Sequence, residues 1–253
     1  MRIGKSVTHV PGLKRHLCSG LLSDGDGDGD GGSRSTSTST STSTRARRSG
    51  TLLAVRIGFL GPSDGDLDVL ERAATFLLDQ NVARVVYLGG DGALDECVVR
   101  WAHRLVGDDP TDEGAWSRAA AVAISGKAHE LDEFVATERQ RMRLRALVSL
   151  PEDNPRSFES IGDVAMVMAS EGAVIDDDDL AHALVVVTGD GDEASFEERD
   201  GRYHLSPGRL GHGAGIAMLE TGEDITLVVF DLEQREVLRG MILFPETARF
   251  GSP

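Results

Sequence analysis

Cysteine is nearly missing from this sequence: Cys18 and Cys97 are the only two in 253 residues. A disulfide framework is excluded, which suits a reducing cytoplasm, and the cytoplasm is the expected location. Long apolar runs are missing as well. None approaches the ~20 residues of a bilayer-spanning helix, so no membrane association is expected. His9, Pro11, Lys14 and Arg15 interrupt any signal-peptide core. Basic charge is scarce, with 26 Lys and Arg against 42 Asp and Glu and a net charge of −16. Such a chain repels phosphate backbones, so nucleic acid is not expected as its main partner. The acidity is compatible with cation binding, although a solvated surface accounts for it more simply.

What is present falls into two parts. Residues 1–51 hold Asp-Gly repeats between Asp24 and Asp30, a Ser/Thr alternation from Ser35 to Thr44, and Arg45, Arg47 and Arg48. Ordering them would cost backbone entropy with almost no apolar burial in return. A disordered leader is expected there, dispensable for folding. It carries 8 Lys and Arg against 4 Asp, so the remaining residues, 52–253, hold a net charge of −20.

Residues 52–253 read as one α/β domain. The apolar run 52–60 ends at Gly61-Pro62, the profile of a buried strand. Residues 66–80 space Leu67, Leu70, Ala74, Leu77 and Leu78 for one helix face. A second strand, 83–88, stops at Gly89-Gly90, and a helix over about 93–105 turns Leu94, Val98, Trp101 and Leu105 inward. Strand, helix, strand, helix with short links implies that the first two strands lie adjacent and parallel. A polar linker is expected at 107–114 and a long helix at 128–150, ended by Pro151. Short strands follow at 163–169, 184–188, 202–205, 215–219, 225–230 and 237–243. Asp200-Gly201 and Thr221-Gly222 mark hairpin turns, and a short helix at 177–183 is capped by its run of Asp. The expected architecture is a two-sheet sandwich flanked by helices.

Three apolar strands end in glycine-rich loops that carry Asp: Gly61–Asp66, Gly89–Gly92 and Gly189–Asp192. Strand C-termini are where α/β proteins place their sites. Asp64, Asp91, Asp190 and Asp192, with His129, are therefore the candidate metal ligands. Hard oxygen donors of this kind suit magnesium, manganese or calcium. Asp-Gly pairs also make turns and helix caps with no ligand involved. His103, His182 and His204 are isolated, and His212 lies in the flexible loop 208–215.

The order of these loops, over roughly residues 55–240, resembles the calcineurin-like metallophosphoesterases, in particular their small bacterial phosphodiesterase branch. The family's Asp-x-His-Gly-Asn-Leu corresponds to Pro62-Ser63-Asp64-Gly65-Asp66-Leu67, and its second-strand Gly-Asp to Gly89-Gly90. Its Gly-Asn-x-Asp corresponds to Gly126-Lys127-Ala128-His129, and its late His-Gly to Ala169-Ser170. Its Gly-His-Thr-His corresponds to Gly189-Asp190-Gly191-Asp192, and its Asn-Pro-Gly-Ser turn to Ser206-Pro207-Gly208-Arg209. The resemblance implies a two-metal centre in which Asp and His hold both ions and a bridging hydroxide attacks phosphorus. Here the glycines and turns are kept and the ligands are replaced.

Three functions are open on this reading. The first is a degenerate metallophosphoesterase that has lost family-type catalysis, holds no cofactor, and acts by binding a protein or a small phosphorylated ligand. The second is a metal-dependent phosphoesterase rebuilt on the Asp-rich loops, with loosely held magnesium, manganese or calcium. The third rests on Leu88-Gly89-Gly90-Asp91-Gly92-Ala93, which resembles the Gly-Gly-Asp-Gly-Thr loop of diacylglycerol and NAD kinases and implies nucleotide binding.

Overall fold

A computed structural model describes residues 54–161, 164–222 and 224–243. The expected leader, 1–51, lies outside the described residues.

Two mixed sheets pack face to face. The first strand, β1 (Arg56–Leu60), pairs in parallel with β2 (Arg84–Tyr87), in the register Gly58 with Val85 and Phe59 with Val86. The helix between them is α1 (Leu67–Asp79). Asp66 caps it by accepting from the backbone nitrogens of Asp68 and Val69. After β2 comes α2 (Ala93–Val106). The same sheet takes in β3 (Leu147–Ser149) on one side and β9 (Ile216–Thr221), β10 (Ile225–Phe230) and β11 (Glu236–Ile242) on the other. Its order is β11-β10-β9-β1-β2-β3. The second sheet comprises β4 (Arg156–Ile161), β5 (Val164–Ala169), β6 (Val185–Thr188), β7 (Ser195–Arg199) and β8 (Arg202–Ser206), in the order β4-β5-β6-β8-β7.

The period of two along β1 decides where its side chains go. Ile57 and Phe59 join Val86, Met166, Met168, Val187, Leu219 and Leu227 in the core between the sheets. Leu60 points the other way, with Val85 and Tyr87, into a second core under α1 and α2 that holds Leu70, Leu77, Leu94 and Cys97. The sandwich with outer helices is therefore as expected.

Several expectations need correction. The long helix over 128–150 is α4 (Ala128–Arg143), followed by one 3-10 turn at Leu144–Ala146 and then β3. Sheet pairing overrides helical spacing at this point. Leu147 sits opposite Val85 and enters the helix-side core, while Leu150 enters the inter-sheet core. The linker expected at 107–114 gives way at Asp112 to α3 (Asp112–Ser125), capped by the Thr111 hydroxyl. Its largest apolar residues, Trp116 and Ile124, face solvent, so no inward stripe announces it. The strands β4 and β7 escaped notice because both are polar edge strands of the second sheet. The hairpin at Asp200-Gly201 forms between β7 and β8, and both turn residues have positive φ. However, β5–β6 and β6–β8 pair in parallel rather than as hairpins. The short helix expected at 177–183 is α5 (Asp177–Leu180), with Asp176 and Asp179 capping each other's backbone nitrogens.

Candidate functional site

The strand-end loops meet at one end of the sandwich, tied by their backbones. Gly61 donates to the Gly215 carbonyl at 2.8 Å, Glu171 to Leu88 at 2.8 Å, and Leu210 to Pro62 at 2.9 Å. The approach is close enough to require glycine. A Cβ at Gly61 would lie 1.8 Å from the Gly208 carbonyl oxygen, and one at Gly189 would lie 2.2 Å from that of Leu88.

Below the mouth is a buried hydroxyl network. Ser63 donates its backbone nitrogen to the Tyr87 hydroxyl at 3.1 Å, and the two hydroxyl oxygens are 3.0 Å apart. Tyr87 in turn donates to Asp91 Oδ1 at 2.9 Å, and the same oxygen accepts from the Ala93 nitrogen that opens α2. Burial pushes the Tyr87 pKa up to about 12, so it remains a donor at neutral pH. Both Asp91 contacts therefore point inward, to a helix start and a phenol. Gly89 gives the Tyr87 ring its room, since a Cβ there would sit 2.3 Å from the ring. Gly92, at φ 69°, caps α2. Gly89, Asp91 and Gly92 of the Gly-Gly-Asp-Gly run thus each have a structural account.

At the mouth itself the central group is a cation from the chain. The Arg209 guanidinium bonds Asp64 through Nη1, Glu171 through Nη2, and Asp192 through Nε at 3.1 Å. Its own backbone nitrogen donates to the Asp192 carbonyl at 3.1 Å. Each edge of the planar guanidinium thus faces a carboxylate from a different strand-end loop, a geometry that lysine cannot reproduce. Glu171 and then Asp192, partly opposed by burial, hold its pKa above the ordinary arginine value.

The structure brings Asp64 and Asp192 together on this guanidinium and leaves the other candidates elsewhere. Asp190 Oδ1 accepts from the Gly172 nitrogen at 2.9 Å and helps fix the β5 loop. His129 stands exposed in the first turn of α4, on the helical hairpin rather than a strand-end loop. Glu171 and Arg209 were not among the candidates. The signal for Arg209 lay in the Ser-Pro-Gly-Arg turn, a lone basic residue opposite three Asp-bearing loops.

The donor set does not fit a pair of divalent ions. Proline at 62 has no side-chain ligand atom and glycine at 90 has none to bridge. Space is not the obstacle at 90, where a Cβ would meet nothing closer than 3.6 Å. Among the described residues, no three His, Cys, Asp or Glu side chains stand together to hold a metal ion. The three carboxylates that do converge are spread around a planar organic cation.

No protein-family model and no curated protein matches the sequence. Solved structures do, in fold. A predicted phosphoesterase from Streptococcus pneumoniae TIGR4 is 12% identical with a TM-score of 0.43, over 75% of this chain and 97% of that one. Vps29 from Entamoeba histolytica, complexed with Zn2+, is 15% identical with a TM-score of 0.39, over 74% and 98%. The phosphoesterase YfcE from E. coli is 14% identical with a TM-score of 0.40, over 75% and 100%. These neighbours have the calcineurin-like metallophosphoesterase fold, the one that the order of loops resembles.

Proposed function

We propose that this chain is a degenerate metallophosphoesterase-fold protein that acts by binding a protein partner and no longer by family-type catalysis. One observation carries the reading: the Arg209 guanidinium sits among Asp64, Glu171 and Asp192 where a phosphoesterase of this fold would need cations and an open coordination position. A guanidinium cannot lower the pKa of a water molecule as a metal does, and three of its five N–H donors are already turned to carboxylates. The mouth keeps a negative balance, three carboxylates to one guanidinium, and so disfavours a phosphorylated ligand. A protein surface with basic groups suits it better.

The test is metal analysis of the purified full chain together with hydrolysis of bis-p-nitrophenyl phosphate in added manganese. The expected result is no stoichiometric transition metal and no turnover above buffer. Metal-dependent turnover that vanishes in Asp64→Ala or Asp91→Ala would overturn the proposal and make the Asp-rich loops a rebuilt active site.

A further inference from the structure

Helices α2, α3 and α4 meet around an open groove of about 480 Å3 that they leave unfilled. α3 faces it with Ala121 and Val122, side chains too short to close it against Phe134 of α4 and Leu105 and Val106 of α2. At one end Arg118 donates to Glu138 through Nε and Nη2 at 3.1 and 2.7 Å. Toward the other end Glu130 and Glu133 stand along the first two turns of α4. The groove thus has an apolar floor, and it sets three carboxylates against one guanidinium that is already paired.

Two physical constraints choose the occupant. Every wall is a helix, whose backbone groups away from its ends are already bonded within it. An extended peptide laid here would bury its own N–H and C=O groups without partners, whereas a helix arrives with them paired. Charge makes the second choice. The excess of carboxylates in the groove, on residues 52–253 with a net charge of −20, disfavours an acidic occupant and suits Lys or Arg beside the apolar anchors. We propose that the groove between α2, α3 and α4 binds a basic amphipathic helix of a partner protein. Leucine-sized side chains on one face of that helix enter the groove, and Lys or Arg at their flank meets Glu130 and Glu133. The groove shares no residue with the Arg209 mouth. Metal-dependent turnover would overturn the reading of the mouth and leave this one standing.

Fluorescence anisotropy of labelled helical peptides, titrated with the full chain, tests it. Three peptides of about five turns share one pattern: Leu on one face with Lys on the other, Leu with Glu, and Ala with Lys. The Leu/Lys peptide should bind saturably, at least about tenfold tighter than either of the others. Ala121→Phe, which fills the groove, should weaken that binding at least about tenfold. Ala123→Phe, exposed on α3 and outside the groove, should leave it unchanged, and neither should lower the thermal melt. Glu130→Gln with Glu133→Gln should weaken binding and flatten its salt dependence. Glutamine at 130 can still cap α4. Equal binding of the Ala/Lys peptide, or undiminished binding of the Leu/Lys peptide to Ala121→Phe, would reveal charge attraction to an acidic surface alone and overturns the proposal. So does the absence of saturable Leu/Lys binding, or tighter binding of the Leu/Glu peptide.

Discussion

In the sheet body Phe59, Val187 and Leu227 are fully buried, whereas across the α3–α4 hairpin Arg141 and Glu138 lie inside and Trp116 and Ile124 outside. The body is held mainly by apolar area removed from water, which has no titratable group of its own. The hairpin is held by charge-assisted hydrogen bonds. Arg141 reaches Glu138 at 2.6 Å, Asp112 at 3.0 Å and the Pro110 carbonyl at 3.0 Å, joining α4 to the start of α3. Two modules of one chain thus rest on different forces, and they should fail under different conditions.

The largest effect should come from the body. Leu77 is fully buried, with Cδ1 2.6 Å from where a Cβ on Gly58 would stand. Leu77→Ala should cost about 2–5 kcal/mol in a denaturant melt. A loss below about 1 kcal/mol would show a body far less tightly packed than described. Next comes Arg141→Met, which leaves Glu138 to Arg118 and Asp112 to Arg145 and takes a donor from the Pro110 carbonyl. It should cost about 1–3 kcal/mol, less than a fully enclosed pair because Asp112 is open to water. Hydrogen exchange should quicken in α4 while β1 stays protected, and uniform loss of protection would erase the distinction between the modules.

Acid separates the modules further. Burial alone would push the Glu138 carboxyl up, but Arg141 and Arg118 outweigh it and hold the carboxyl below its ordinary value. The Asp112 carboxyl is held down by Arg141 and Arg145. A depressed folded pKa stabilises fully above the unfolded value, and that contribution disappears as pH falls through the folded one. The α3–α4 amides should therefore lose protection below about pH 4, while the buried centre of β1 keeps its protection. If the two titrate together, the hairpin does not depend on these ion pairs. The smallest effect should be that of Ile124→Ser, within about 0.5 kcal/mol of zero, since Ile124 is exposed. A larger loss would mean that Ile124 packs within its own chain.

Much of the fold was legible because it is local. The runs that became β1 and β2, the glycines that end them, and the face of α1 set by Leu70, Ala74 and Leu77 are short-range patterns, each read within one element. Asp66 and Asp176 as caps needed only their neighbours. The polar edge strands β4 and β7 were not legible, since an edge strand exposes too much of itself to show an apolar alternation. At the mouth, two of the five candidate ligands, Asp64 and Asp192, meet on the Arg209 guanidinium, a partner that no local pattern announced.

By itself, the sequence determined the strand–helix–strand opening, its parallel pairing and the glycine-built mouth, because steric and hydrophobic periodicities act between near neighbours. Only the tertiary structure decided that Leu147 and Val148 extend a sheet rather than a helix, since Val85 and Val86 lie waiting to pair with them from 62 residues away. It also decided that Arg209 joins Asp64, Glu171 and Asp192, which lie 145, 38 and 17 residues from it in the chain. Charge attraction carries no sequence pattern of its own, and which carboxylates an arginine meets is settled only when separate loops fold to the same place.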